Sequence, residues 1–348
     1  MSTLQLSPRQ RATLPDTWLV TGVAGFIGSH LLETLLGADR RVVGLDNFVT
    51  GTTANLEDVR ARVLPEQWDR FRLVEGDLRS LENCRDAVQD VDVVLHQAAL
   101  NSVPRSLHEP DKVIDVNIGG SANLFRAAGD AGVARVVYAS SSSVYGDVST
   151  ATRREDVLGN AMSPYAVSKR AMEQLAAVYQ GIYGIPMTGL RYFNVFGPRQ
   201  NPDGPYAAVI PRWIRTLLAG DAPVIYGDGT QSRDFTYVEN VVRANILAAT
   251  RASETSGAPA PGVFNVGTGQ GTPIRTLFTL LRGLLADHAG VCAIEAETAA
   301  PRQGDVASAL ADLGLVTEAL AYRPLVGFDE GLHRTVEWFA GSLVGRGA

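Results

Sequence analysis

An α/β fold built on a doubly wound parallel sheet, with a smaller mixed α/β domain after it, is what the order of segments in this chain predicts. Short apolar runs alternate with helix-patterned stretches from Trp18 to about Tyr192, and glycines cluster where the first run meets the first helix. Beyond Tyr192 the alternation loosens, and glycine and proline become frequent. The expected layout is an N-terminal extension over 1–16, a sheet domain over 17–192, and a region over 193–348 given mainly to the second domain, some of whose segments return to the first.

The composition narrows the function classes. With 348 residues the chain can bury a large core, and a net charge of −6 argues against a nucleic-acid-binding surface. Cys84 and Cys292 stand in unrelated contexts without ligand-like spacing and read as reduced structural thiols, with no metal site expected. The first residues carry no apolar signal core, and no apolar run approaches the roughly 20 residues that span a bilayer. A cytoplasmic protein without nucleic-acid or membrane partners is the expectation.

Trp18 to Thr21 reads as the first strand, running into Gly22-Val-Ala-Gly25-Phe26-Ile27-Gly28 and then the helical pattern Ile27, Leu31, Leu32, Leu35, Leu36. Strand, glycine turn and helix come in the order a dinucleotide site of the Rossmann type requires. Gly22 suits a tight turn, Gly25 a close approach to a pyrophosphate, and Gly28 close helix packing, with the helix N-terminus facing the anion. A plain glycine-rich turn has the same spacing; the next strand favours the dinucleotide. Arg41 to Asp46 ends in a carboxylate about twenty residues downstream, placed to accept from both ribose hydroxyls and to repel a 2′-phosphate, so the cofactor reads as NAD rather than NADP.

Phe71 to Asp77 is the third strand, its Asp77-Leu78 pair placed for the adenine end of the dinucleotide. Val91 to Ala99 is the fourth and closes on two small residues, Ala98 and Ala99, that let a cofactor approach the backbone. His96 and His108 lack partners at metal-ligand spacing and read as strand-end and surface histidines. A helix follows over 113–132, with Asn117 near its start, and Arg135 to Ala139 is the fifth strand.

That strand delivers the chain to Ser140-Ser141-Ser142-Ser143, and Ser163-Pro-Tyr165-Ala-Val-Ser-Lys169 opens the next helix. A phenol is a base at neutral pH only if a cation stabilises its phenolate, and Lys169 lies one helical turn from Tyr165. A tyrosine and lysine at that spacing also occur in many helices as an aromatic and a solvated cation. The dinucleotide fingerprint upstream and the hydroxyls just before favour chemistry.

Taken with these motifs, the chain resembles the extended short-chain dehydrogenase/reductases that modify nucleotide sugars, and most of all the bacterial UDP-N-acetylglucosamine 4-epimerases of O-antigen and capsule synthesis. The likeness covers nearly the whole length. It is densest over 21–29, 45–51, 96–106, 190–200, 206–213 and 227–235. It implies that Tyr165 is the catalytic base, that Lys169 holds the nicotinamide ribose, and that Ser141 is the catalytic hydroxyl. It adds Phe26, Ile27, Asn47, Gly51, Gln97 and Asn117 to the cofactor residues. A homodimer is implied too, through the helices at 113–132 and 164–182.

On the substrate side the resemblance implies Ser102, Ser142, Ser143, Asn194, Gln200, Ala208, Val209, Trp213, Tyr226, Arg233, Arg302, Asp305 and Ala309. A helix core would equally demand Val209 and Trp213. Arg233 and Arg302 suit a diphosphate. Ala309 occupies the family's size-selecting position, where the close relatives carry serine; its methyl leaves room for a 2-acetamido group but lacks that hydroxyl. Relatives that eliminate water carry an acidic pair where Ser142 and Ser143 stand, so dehydration is disfavoured and redox at one carbon remains. C4 epimerisation of UDP-GlcNAc to UDP-GalNAc, with NAD regenerated each turnover, is therefore the expectation. The alternatives are UDP-glucose/UDP-galactose or UDP-N-acetylglucosaminuronate as substrate, with Arg105 or Arg199 as the cation for a carboxylate, and an NAD-sensing protein without chemistry.

Overall fold

The computed structural model describes residues 4, 6–251, 262–288, 290–301 and 308–344. Seven strands form the main sheet: β1 Thr17–Thr21, β2 Arg41–Asp46, β3 Phe71–Glu75, β4 Val93–His96, β5 Arg135–Ser141, β6 Met187–Tyr192 and β7 Val263–Val266. Their order is β7-β6-β5-β4-β1-β2-β3, with every pairing parallel. Strands covered on both faces read as unbroken apolar runs, and alternate residues of β1 show why. Trp18 and Val20 pack with Leu31, Leu32 and Leu35 of the Phe26–Gly37 helix, whereas Leu19 packs with Leu124 and Phe125 on the opposite face. The strand order reverses between β1 and β4, so a crevice opens at their carboxyl ends.

A separate hydrophobic cluster forms away from the main sheet. Trp213, Ile214 and Leu217 of the Val209–Leu218 helix meet Leu277, Phe278 and Leu281 of Ile274–Leu284, and Leu332, Val336 and Phe339 of Phe328–Val344. A small sheet places Ser232–Arg233 between Thr272–Pro273 and Ser308–Ala311, and the last of these pairs with Thr152–Arg153. Late and early segments exchange places: β7 and the Val238–Thr250 helix pack with the main sheet, and Thr152–Arg153 pairs into the small one.

Two details differ from the sequence expectation. Within 1–16, expected to precede the core, a capped helix Pro8–Thr13 forms, and Leu4, Leu6 and Leu14 are buried against the first-domain cluster. Polar neighbours hid these three leucines from a compositional reading. The helix expected over 113–132 is Pro110–Ile114 and Ser121–Asp130 joined by a wider π-helical stretch, Asp115–Gly120. Such bulges re-aim a side chain, and here Asn117 turns into the interior. Among the described residues no helix is long and apolar enough to cross a membrane.

Candidate active site

A cleft of about 2020 Å³ lies at the carboxyl ends of the main-sheet strands and reaches Arg233 and Ala309 of the small sheet. Drug-sized ligands occupy roughly 300–1,000 Å³, so the space suits a dinucleotide and a second nucleotide together. The glycine cradle forms one wall. Gly22 has φ +67°, and a Cβ there would stand 2.9 Å from the Cα of Ala98; a Cβ on Gly28 would stand 2.0 Å from the carbonyl oxygen of Gly22. Only glycine permits the helix Phe26–Gly37 to begin this close to the turn. Asp46, at the end of β2, accepts from the backbone N–H of Ala24 at 2.9 Å and of Phe48 at 2.8 Å. Burial pushes its carboxyl above the ordinary value, and these two bonds oppose the shift. Asp46 lines the cleft, and a carboxylate accepts at more than two sites, which fits ribose hydroxyls.

Asp77 accepts from Arg79 at 2.8 Å and from Asn47 at 2.9 Å, and the Arg79 bonds hold its carboxyl down to about 2. Phe26, Ile27, Gly51, Leu78, Gln97, Ala98 and Ala99 also line the cleft. Asn117 does not. It is 1 % exposed and brackets Leu100, accepting from its N–H at 2.8 Å and donating to its carbonyl at 3.1 Å, with Ser168 as a third partner. His96 likewise spends both ring nitrogens, on Thr21 at 2.8 Å and on Ser121 at 2.9 Å. Burial pushes its imidazole down to about 3, so the ring stays neutral.

Ser141, Tyr165 and Lys169 converge on the cleft where β5 ends and the helix Pro164–Tyr183 begins. Ser163 caps that helix, its hydroxyl accepting from the Ala166 N–H at 3.1 Å, and Pro164 occupies its first turn. The Ser141 hydroxyl bonds Tyr165 and accepts from the Ser143 N–H at 3.2 Å. Lys169 is 3 % exposed and donates to the Ala139 carbonyl at 2.7 Å, its ammonium 5.9 Å from the Tyr165 ring centre. Burial raises the phenol, and it lowers the ammonium to about 8. A cation lowered by burial beside a hydroxyl-bonded phenol is an arrangement that could move a proton.

Ser102, Ser142, Ser143, Asn194, Gln200, Ala208, Arg233 and Ala309 line the same cleft. Arg233 and Ala309 are register partners in the small sheet, so their side chains share a face. Val209, Trp213 and Tyr226 are absent from this lining. Trp213 is 2 % exposed and packs edge-on against Phe278, the helix-core role that competed with substrate contact in the sequence. Arg302 and Asp305 lie outside the described residues.

The sequence reading overlooked the groups beneath the site. Glu173 and Arg191 form a buried two-pronged ion pair at 2.8 and 2.9 Å, and Tyr145 joins it through Arg191 at 3.1 Å. An acid one turn after Lys169 on a buried helix face was the available signal.

The chain matches the model of the NAD dependent epimerase/dehydratase family over residues 18–267. It is 37% identical over 325 residues to a UDP-glucose 4-epimerase of Mycolicibacterium smegmatis, covering 92% of this chain and 97% of that protein. It is 34% identical over 337 residues to UDP-glucuronate 4-epimerase 4 of Arabidopsis thaliana, with 93% and 75% covered. The solved UDP-N-acetylglucosamine 4-epimerase from Methanobrevibacter ruminantium M1, in complex with UDP-N-acetylmuramic acid, superposes with a TM-score of 0.84 at 36% identity, over 94% of this chain and 100% of that one. Since the matched span includes the glycine cradle, Ser141, Tyr165 and Lys169, this chain belongs to the NAD dependent epimerase/dehydratase family.

Proposed function

We propose that this protein is an NAD-dependent UDP-sugar 4-epimerase and that it interconverts UDP-GlcNAc and UDP-GalNAc. The observation that carries the reading is the Ser141–Tyr165–Lys169 cluster in a two-ligand cleft, followed by hydroxyls at 142 and 143 where elimination would need acids. The carboxylates that line the described cleft are already engaged: Asp46 with backbone N–H groups, Asp58 with Arg62 and Arg199, Asp77 with Arg79, and Asp203 with Arg215.

Bound NAD supplies hydride acceptance from C4 and its return to the opposite face. Tyr165 takes the proton of the 4-hydroxyl as C4 is oxidised to the ketone, and gives it back on reduction. Ser141 donates a hydrogen bond to the same oxygen, and Lys169 keeps positive charge beside the phenolate. Ala208 and Arg233, which line the cleft, would hold the uridine diphosphate. Ala309, opposite Arg233, supplies space for a 2-acetamido group.

One observation favours a second reading. Both candidate cations for a C6 carboxylate line the cleft; Arg199 is 5 % exposed and held by two carboxylates, Glu33 and Asp58, while Arg105 lies over the Tyr206 ring at 5.1 Å. The Nε of Arg105, like the Nη1 of Arg199, is buried without a hydrogen-bond partner among the described residues, but Arg105 has no carboxylate ion pair among them. A uronic acid sugar would satisfy it.

The test is to denature the purified protein, assay released NAD, and offer UDP-GlcNAc, UDP-Glc and their uronic acids for C4 inversion. Fastest inversion of UDP-GlcNAc supports the first reading, and of a uronic acid the second. NAD release without inversion of any sugar sinks both.

The homodimer belongs to the same proposal. Val167, Val178 and Ile182 are 47, 57 and 66 % exposed along one stripe of the Pro164–Tyr183 helix, and Ile114 is 43 % exposed on its neighbour. Light scattering of the eluting protein should give twice the chain mass, and V178E/I182E should give the single chain mass.

A further inference from the structure

The catalytic helix grips the end of β5 at two successive residues. Lys169 donates to the Ala139 carbonyl at 2.7 Å, and one turn on, Glu173 accepts from the Ser140 hydroxyl at 2.5 Å. The next residue of the strand is Ser141. Both serine hydroxyls bond the same helix, Ser140 at Glu173 and Ser141 at Tyr165.

Glu173 is itself held. Arg191 is the register partner of Ser140 on β6, and its Nε and Nη2 reach the two Glu173 oxygens at 2.9 and 2.8 Å. The pair is 9 and 4 % exposed. The second arm of Arg191 donates to the Tyr145 hydroxyl at 3.1 Å and to the Glu155 carbonyl at 3.1 Å. Tyr145 donates in turn to Asn265 on β7, whose N–H bonds the Glu155 carboxylate at 2.8 Å. Neither Glu173 nor Arg191 lines the cleft.

We propose that Glu173, fixed by Arg191, is a positioning residue: it clamps the end of β5 to the catalytic helix so that Ser141 meets Tyr165, and it anchors Lys169 as an ammonium. The roles of Ser141, Tyr165 and Lys169 here rest on the epimerase reading above.

Two physical arguments favour this over a plain structural ion pair. A buried ion pair is on average no more stabilising than apolar residues of the same volume, so stability alone gives little reason for it. Its third bond, from Ser140, lands one residue from the catalytic hydroxyl, where displacements of about an ångström change rates strongly. The charges around Lys169 are few. His96 on β4 is neutral, Tyr138 on β5 is pushed above its ordinary value by burial, and Arg191 on β6 is cationic. Tyr165 stands one turn back, and Glu155 lies beyond Arg191. Glu173 is the anion that favours the charged lysine, against the burial that disfavours it.

The chain holds two lysines, Lys112 and Lys169, which makes a direct test practical. Lysine labelled with 13C at the ε carbon gives two titrating signals in the full-length, NAD-loaded enzyme. The buried one should titrate near 8 and the exposed Lys112 serves as control. E173Q should move the Lys169 titration toward acid by about one unit, leave Lys112 in place, lower kcat at least tenfold and change KM less than threefold. S140A keeps the ion pair, so it should lower kcat severalfold without moving the titration.

E173M/R191M removes both buried charges together and provides a folded variant if E173Q does not fold. It should match E173Q in kcat. An unmoved Lys169 titration, or a kcat within twofold of wild type in both E173Q and the double variant, overturns the proposal. A wild-type enzyme that inverts no sugar in the panel sinks the epimerase reading instead, while the lysine titration still tests the anchor by itself.

Discussion

Tyr165 takes its function from its neighbours. A phenol raised by burial is a poor base alone; the Ser141 bond opposes that shift, and the Lys169 ammonium stands 5.9 Å from the ring centre. Y165F removes the proton acceptor and little volume, so NAD should remain bound while C4 inversion falls by roughly 10²–10⁴ in kcat. Full activity in Y165F would remove it from the mechanism. Ala309 tests specificity at the same scale. A309Y adds bulk opposite Arg233 and should lower kcat/KM for UDP-GlcNAc by roughly 10–200-fold while sparing UDP-glucose. Equal losses on both sugars would show that position 309 does not select size.

The turn between β1 and the Phe26–Gly37 helix works because three side chains are missing. In G28A the new methyl would meet the Gly22 carbonyl at 2.0 Å, a backbone contact that cannot rotate away, and the helix start must shift from the cradle. The purified variant should lose most of its bound NAD, measured as cofactor released on denaturation. G37A, at the far end of the same helix with nothing within 4 Å, should keep it. Retention of NAD in G28A would mean that the cradle tolerates the shift.

Segments far apart in the chain are tied by charge as well as by strand pairing. Arg199 is buried between Glu33 of the Phe26–Gly37 helix and Asp58 of the Thr53–Arg60 helix, bonding the latter at 2.7 Å. R199M takes a buried cation away from both Glu33 and Asp58, which should lower the unfolding free energy in urea by about 3–5 kcal/mol. R199M/E33L should recover much of that loss. No change in R199M would mean that water reaches Glu33.

The sequence by itself determined the sheet domain, the glycine cradle and the Tyr165–Lys169 spacing, because each follows from a local rule: apolar runs of strand length, glycine where a turn needs positive φ, and side chains one helical turn apart. It missed the burial of Leu4, Leu6 and Leu14, since a polar segment gives no periodicity to read. It placed Asn117 with the cofactor, and a π-helical stretch turns that side chain inward to hold Leu100. Trp213 had two readings of equal standing, and only its packing against Phe278 separates them. Glu173, Arg191 and Ser140 are far apart in sequence on a helix and two strands. Their meeting beneath Ser141 depends on the register of β5 against β6, a long-range pairing that no local pattern encodes.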